Sequence, residues 1–279
     1  MKTQLKLEEI NPNTCIVRGT HINKGRNLFI EPGKTATRNL FYGRIIISAD
    51  DEPVEFTEEA RETGLICLRG NGQVFVNGES FVMRQYDALY VPKKNSRCSV
   101  STREQLFDIA EISAPVQGDY PLQFVSFDSV QKDPSLHFKA GSPPCERDLN
   151  ILLGKNIKAG RIMAGVTFSS EGNWTSWPPH EHADMLEEAY LYIDMPYPQW
   201  GIQLVYQNPE KPELIEVVRE GDVVIMPKGF HPNVAAPGGS INFLWMMAAN
   251  EEEADRKFGV VNVQPEYAAK GSGLEASQK

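Results

Sequence analysis

GDVVIMPKGFH, residues Gly221–His231, runs Asp, four β-prone residues, Pro and Lys, and YDALYVPKKNS at Tyr86–Ser96 runs in the same order. Superposing Pro92 on Pro227 sets Ser96 opposite His231. One such signature in each half of the chain predicts two barrels of one kind, the first lacking the histidine that the second carries. Around both copies the texture is period 2. RNLFYGRIIIS, TGLICLRG, DALYVP and FDIAEIS in the first half, and RIMAGVTFS, AYLYIDM, GIQLVYQ and INFLWMMAA in the second, read as strands. GQVFVNGESFVM places Asn77-Gly78 between two alternating segments, the strongest short hairpin signal. Many short strands with Gly/Pro turns, and almost no helical periodicity, predict an all-β chain of sandwiches or barrels.

The expected organisation is a barrel without metal ligands over residues 1–117 and a connecting segment over 118–150, rich in Pro, Ser and Asp, with room for one strand. A metal-binding barrel follows over 151–265 and a disordered tail over 266–279. Two hundred and seventy-nine residues, 41% apolar and 23% charged, are ample for a real core. A formal charge of −9, with no basic block, argues against nucleic acid as a partner. MKTQLKLEEINPNTC has no apolar stretch of signal-peptide length, and INFLWMMAA is too short to span a bilayer, so a cytoplasmic location without membrane contact is expected. Cys15, Cys67, Cys98 and Cys145 lie far apart, with no C-x-x-C pair, and are read as reduced thiols.

Chemistry concentrates in EGNWTSWPPHEHADMLEEAYLYIDM, Glu171–Met195, which holds two of the five histidines. On an extended strand residues i and i+2 face one way, so His180 and His182 can address one ion. Pro178 and Pro179 restrict the approach to them. Glu187-Glu188 opens the next strand, and His231 follows the strand of the repeat. Three imidazoles and a carboxylate at strand ends of one barrel suit a divalent metal. Period 2 puts Glu188, Tyr190 and Tyr192 on one face and Glu187, Ala189, Leu191 and Ile193 on the other. Parity favours Glu188 and leaves Glu187 open. Trp174 and Trp177 either stack on a ligand ring or pack the loop against the barrel.

His-x-His, a Glu several residues on and a later Gly-x-His after GDVV-x-MP resemble the two cupin motifs. More narrowly, GNWTSWPPHEH, LEEAYLY and VVIMPKGFHP resemble the 5-deoxy-glucuronate isomerases of inositol catabolism. The 5-keto-4-deoxyuronate isomerases of pectin breakdown show a similar but looser pattern. The match is dense from Arg147 to Met247 and fainter before it. The resemblance implies a two-cupin chain (double-stranded β-helix, jelly-roll barrels) whose ligands fall on His180, His182, Glu188 and His231. It implies one divalent ion, zinc first, with manganese or iron as alternatives, and an aldose–ketose isomerisation of a deoxy-uronic sugar. Arg147 falls on a matching arginine and is the first choice for the substrate carboxylate, with Lys228 second. Gln203 falls on a matching glutamine expected to line the cavity beside Trp177, and Tyr190 is a candidate proton-transfer group. Glu181 stands where the inositol-pathway enzymes carry a basic residue, and NPEKPELIE lacks their acidic run; both departures bear on substrate identity. The competing functions are a cupin metal dioxygenase and a non-catalytic sugar-binding cupin. A homo-oligomer would cover exposed sheet edges.

Overall fold

The structure, a computed structural model, describes residue 7, residues 9–182 and residues 184–271. Almost all regular elements are strands, as the alternation predicts. In the first half a six-stranded sheet runs in the order Gln123–Val125, Ala88–Val91, Arg61–Gly70, Phe107–Pro115, Phe41–Ile47, Gly25–Ile30. Its partner is a four-stranded sheet of Val54–Glu58, Ser96–Ser101, Gly72–Val76 and Glu79–Met83. In the second half a seven-stranded sheet runs Ile16–Val17, Val223–Met226, Leu186–Tyr192, Phe243–Ala249, Ile162–Ser169, Arg147–Leu153, His137–Ala140. It is matched by Trp174–Thr175, Asn233–Ala235, Gly201–Val205 and Leu214–Val218. The Asn77-Gly78 turn is a tight hairpin with both residues at positive φ, 50° and 92°.

Why strands such as LICL and RIII are apolar without alternation follows from the packing. Leu65 and Cys67 point into the first barrel, with Val74, Val76 and Phe107. Ile66 and Leu68 point the other way, into the larger core that also holds Leu152, Ile162 and Ala164. The two large sheets thus pack against each other, and strands buried on both faces carry continuous apolar runs.

The repeat extends through the strand register. Thr63 pairs with Val91, just before Pro92, and Glu188 pairs with Met226, just before Pro227. Thr63 therefore occupies the place of Glu188, and Glu62 that of Glu187. The halves also exchange strands. Ile16–Val17, which precedes the first barrel, pairs with Val223–Met226 of the second; Gln123–Val125, which precedes the second, pairs with Ala88–Val91 of the first. The repeated aspartates cap these exchanged strands. Asp222 accepts the Gly19 N–H at 3.0 Å and Asp87 accepts the Phe127 N–H at 2.8 Å.

The segment 118–150, expected as a connection with room for one strand, contains Gln123–Val125, the helix Phe127–Lys132 and His137–Ala140, and Arg147–Leu153 begins within it. The expected tail opens with a 3₁₀ helix, Pro265–Lys270, and its residues 272–279 lie outside the described residues. Among the described residues no helix is long and apolar enough to cross a membrane.

Candidate metal centre and its cavity

Four side chains converge inside the second barrel. His180 lies on the two-residue strand His180–Glu181, and His182 follows immediately. Glu188 comes from the Leu186–Tyr192 strand, and His231 from the turn that ends the repeat. The ligand atoms of the three histidines lie within 4.8 Å of one another. Oε2 of Glu188 sits 2.8 Å from Nε2 of His182 and 3.0 Å from Nε2 of His231. His231 and Glu188 are 1% and 2% exposed, so this charge is held out of water.

The hydrogen bonds orient the rings. Nδ1 of His180 donates to the Pro178 carbonyl at 2.9 Å, and Nδ1 of His231 donates to the Gly229 carbonyl at 3.0 Å. Each ring then carries its lone pair on Nε2, the arrangement that backbone carbonyls impose on metal-binding imidazoles. Nε2 of His231 is buried and makes no hydrogen bond, although Glu188 Oε2 is 3.0 Å away. A lone pair facing a carboxylate oxygen in a dry site is unfavourable without a cation between them. The donor set, its burial and this orphaned nitrogen together fit a divalent metal ion.

The electrostatics agree. Desolvation, with His231 and His182 close by, pushes the His180 imidazole well below its ordinary range, so it is neutral and available as a ligand. Burial alone would raise the Glu188 carboxyl; positive charge at His182 and His231 outweighs it and holds the group below the usual carboxylate range, so the carboxylate asks for a cation where these rings are neutral. Glu187, one residue earlier, faces away. Its carboxylate accepts the N–H groups of Arg38, Asn39 and Leu40 at 2.5, 2.9 and 3.0 Å. Parity thus separates the two glutamates, one toward the imidazoles and one into the first half.

The centre opens on a small cavity, with about 60 Å³ of enclosed space and a mouth open to solvent. Arg147 and Tyr190 line it, as do Ser176, Thr167 and an apolar wall that includes Leu149 and Trp245. Arg147 is 4% exposed, and among the described residues its side chain makes one hydrogen bond, from Nη1 to the Cys145 carbonyl at 3.3 Å. Among the described residues it has no carboxylate partner, and desolvation lowers its affinity for its proton. Tyr190 stacks on Phe243 at 4.1 Å and its Oη lies 2.8 Å from Ser176 Oγ. Burial, with Glu188 nearby, pushes this phenol well above its ordinary range, so it stays protonated.

Three other candidate residues lie elsewhere. Gln203 is fully buried behind His231, where Nε2 donates to the His231 carbonyl at 2.9 Å and Oε1 accepts from Tyr192 at 2.5 Å and from Asn233 at 3.1 Å. It is not among the residues lining the cavity and instead fixes the backbone that carries a ligand. Lys228 is exposed on the turn and does not line the cavity. Trp177 packs between Trp174 and Tyr267, at 5.4 and 5.0 Å between ring centroids.

Sequence reasoning missed the far wall. Phe258, Gly259 and Val261 line the cavity, Phe258 stacks on Trp245 at 5.1 Å, and Asn262–Val263 pairs with the His180–Glu181 strand. The short apolar run FGVVNV, after NEEEADRK, was the available signal. Ser176 and Thr167 were also missed; Thr167 alternates with Gly165 and Ser169 on one face of RIMAGVTFS.

An all-β chain of two strand-exchanged barrels, one holding a His/His/Glu/His set that could bind a metal beside a pocket, has the cupin architecture. Comparison with known families carries this further. Residues 16–264 match the KduI/IolB family model, and the chain belongs to that family. It is 32% identical over 168 residues to a 5-deoxy-glucuronate isomerase of Geobacillus thermodenitrificans, covering 58% of this chain and 59% of that one. It is 31% identical over 217 residues to a 4-deoxy-L-threo-5-hexosulose-uronate ketol-isomerase of Oceanobacillus iheyensis, covering 75% of each. A crystal structure of an IolB-like protein from Salmonella typhimurium superposes with a TM-score of 0.79 at 22% identity, over 91% of this chain and 98% of that one. The match thus spans 59% of the length of the first relative and 52% of that of a second, a 5-deoxy-glucuronate isomerase of Geobacillus kaustophilus.

Proposed function

We propose that the protein is a metal-dependent aldose–ketose isomerase of a deoxy-uronic sugar, acting on 5-deoxy-glucuronate to give 5-keto-2-deoxygluconate. One observation supports this reading above others: a four-donor set converges at the same cavity as a buried arginine that has no carboxylate partner among the described residues. Such an arginine is costly unless an anion completes it, and a uronate supplies one. His180, His182, Glu188 and His231 would hold one divalent ion, zinc, with manganese or iron as alternatives. When bound, that ion supplies Lewis-acid polarisation of a carbonyl and its neighbouring hydroxyl.

The chain's own residues do the rest. Arg147 binds the substrate carboxylate and sets the direction in which the sugar lies. The phenol of Tyr190, protonated and steadied by Ser176, hydrogen-bonds the oxygen on which negative charge develops. The apolar wall excludes water, which strengthens both contacts. The isomerisation removes hydrogen from one carbon and returns it to its neighbour, so substrate and product have the same composition and no redox partner is needed. A second reading, 4-deoxy-L-threo-5-hexosulose-uronate ketol-isomerase, is favoured by the longer stretch matched to the Oceanobacillus relative.

Metal content by elemental analysis, followed by incubation with each deoxyuronate under carbon NMR, tests the reading. Interconversion of 5-deoxy-glucuronate, abolished by His182→Ala, is expected. Turnover of the hexosulose-uronate alone would transfer the assignment to the second reading. No turnover of either at full metal occupancy would overturn both.

A further inference from the structure

Thr167 is 3% exposed, lies in the wall of the metal cavity, and its hydroxyl has no hydrogen-bond partner among the described residues. The hydroxyl itself is not sealed in the core, so it is open to the cavity rather than bonded to the protein. Its flanking partners in the register are apolar, Leu149 on one side and Phe243 on the other. Nothing in that row satisfies it, and a valine would fill the same space without the oxygen. Arg147 pairs with Ser169, two residues along the strand from Thr167, so Arg147 and Thr167 are diagonal neighbours on one face of the sheet. Diagonal neighbours stand roughly 7–8 Å apart at the backbone, close enough for two side chains to reach adjacent groups of one ligand.

We infer that Thr167 is a specificity-determining residue that hydrogen-bonds a substrate oxygen next to the carboxylate held by Arg147. This rests on the uronate reading of the cavity. It deepens that reading by assigning the polarity of the bound sugar. The acid end and its neighbouring oxygen lie on the Arg147–Thr167 face, and the carbonyl end lies toward His180, His182, Glu188 and His231. The row of Leu149, Phe243 and Trp245 is left to meet carbon, which suits a sugar acid with a deoxygenated position and disfavours a fully hydroxylated one.

Thr167→Val removes the oxygen at constant shape, and Thr167→Ser and Thr167→Ala form a second pair that differ from each other only by that oxygen. All three are compared with wild type at equal metal content. Glucuronate, a stable uronate, is the binding probe in titration calorimetry, and 5-deoxy-glucuronate is the kinetic probe. Loss of one hydrogen bond in a dry site predicts affinity and kcat/KM lower by roughly 10- to 50-fold in the valine and alanine variants, with the serine variant within about threefold of wild type. The denaturation midpoint of the valine variant is expected to match that of wild type, which a threonine whose hydroxyl held the fold would not allow. Unchanged glucuronate affinity and kinetics in the valine and alanine variants would overturn the assignment and leave the hydroxyl as the anchor of a cavity water. The two levels separate cleanly. Wild-type protein that binds glucuronate but turns over neither deoxyuronate refutes the isomerase while the valine comparison still decides Thr167. Wild-type protein that neither binds nor turns over refutes both.

Discussion

Replacing Glu187 with alanine should destabilise the protein by about as much as replacing Glu62, although only Glu187 adjoins a metal-site residue. The reason is a matched pair of clamps between the halves. Glu187 accepts three consecutive N–H groups, from Arg38 to Leu40, at 2.5–3.0 Å. Glu62, its counterpart in the repeat, accepts those of Gly160, Arg161 and Ile162 at 2.5–2.7 Å, and the Tyr90 hydroxyl at 2.6 Å. Both carboxylates are buried. Each truncation leaves three amides without an acceptor, at about 1–3 kcal/mol apiece. Relief of the buried charge and water entering the vacated space offset part of that sum, leaving a net loss of about 3–5 kcal/mol for either variant. With an m-value of about 3 kcal/mol per molar urea, the midpoint should fall by roughly 1–2 M. Glu187→Gln, which retains one acceptor oxygen, should fall between. The assay is urea denaturation followed by tryptophan fluorescence, with metal content measured on the same samples. A Glu187→Ala midpoint within about 0.3 M of wild type would refute the clamp. A collapse of kcat at an unchanged midpoint would make Glu187 a chemical group instead.

Other outcomes follow from the same geometry. If the proposed metal site and activity hold, His182→Ala and His231→Ala should each abolish stoichiometric metal binding by elemental analysis and lower the proposed isomerase activity by more than about 100-fold. Arg147→Met should leave the denaturation midpoint equal or higher, because the buried guanidinium has no carboxylate partner among the described residues, yet weaken glucuronate binding in calorimetry by roughly 100-fold through loss of a charge-assisted pair. Burial, with Glu58 and Glu111 nearby, pushes the Cys98 thiol up to about 12. Its stabilising contribution is complete below about pH 9 and lost as the pH climbs toward 12, because the unfolded chain ionises first. Denaturation midpoints taken from pH 8 to 11 should therefore decline less steeply for Cys98→Ala than for wild type.

Much of the fold was legible because it rests on local periodicity. Alternation in RIMAGVTFS and LEEAYLY marks strands and their inner faces, and Asn77-Gly78 marks a hairpin because few other residue pairs tolerate two positive φ angles. Even the choice of Glu188 over Glu187 needed only a period of two. Spacing along the strands also pointed to His180, His182 and His231, the resemblance implied the same set, and the structure brings the four together. Gln203 shows where that route ends. A matching glutamine implied a cavity position, but the residue stands behind His231 with both ends of its amide engaged. Whether a strand residue reaches the cavity or the layer behind it depends on what the neighbouring strand puts in front of it.

By itself, then, the chain determined its strands, its repeat and the side chains able to meet one ion, since all of these are properties of spacing along a few residues. Tertiary structure alone decided which strands cross between the halves, what Glu187 and Glu62 hold, which residues close the cavity from Phe258 to Val261, and that among the described residues Arg147 has no carboxylate partner and the Thr167 hydroxyl no hydrogen bond. These depend on contacts between segments a hundred residues apart, made largely to backbone groups. A backbone N–H is the same at every position, so such a contact leaves no pattern in the sequence of the segment that donates it.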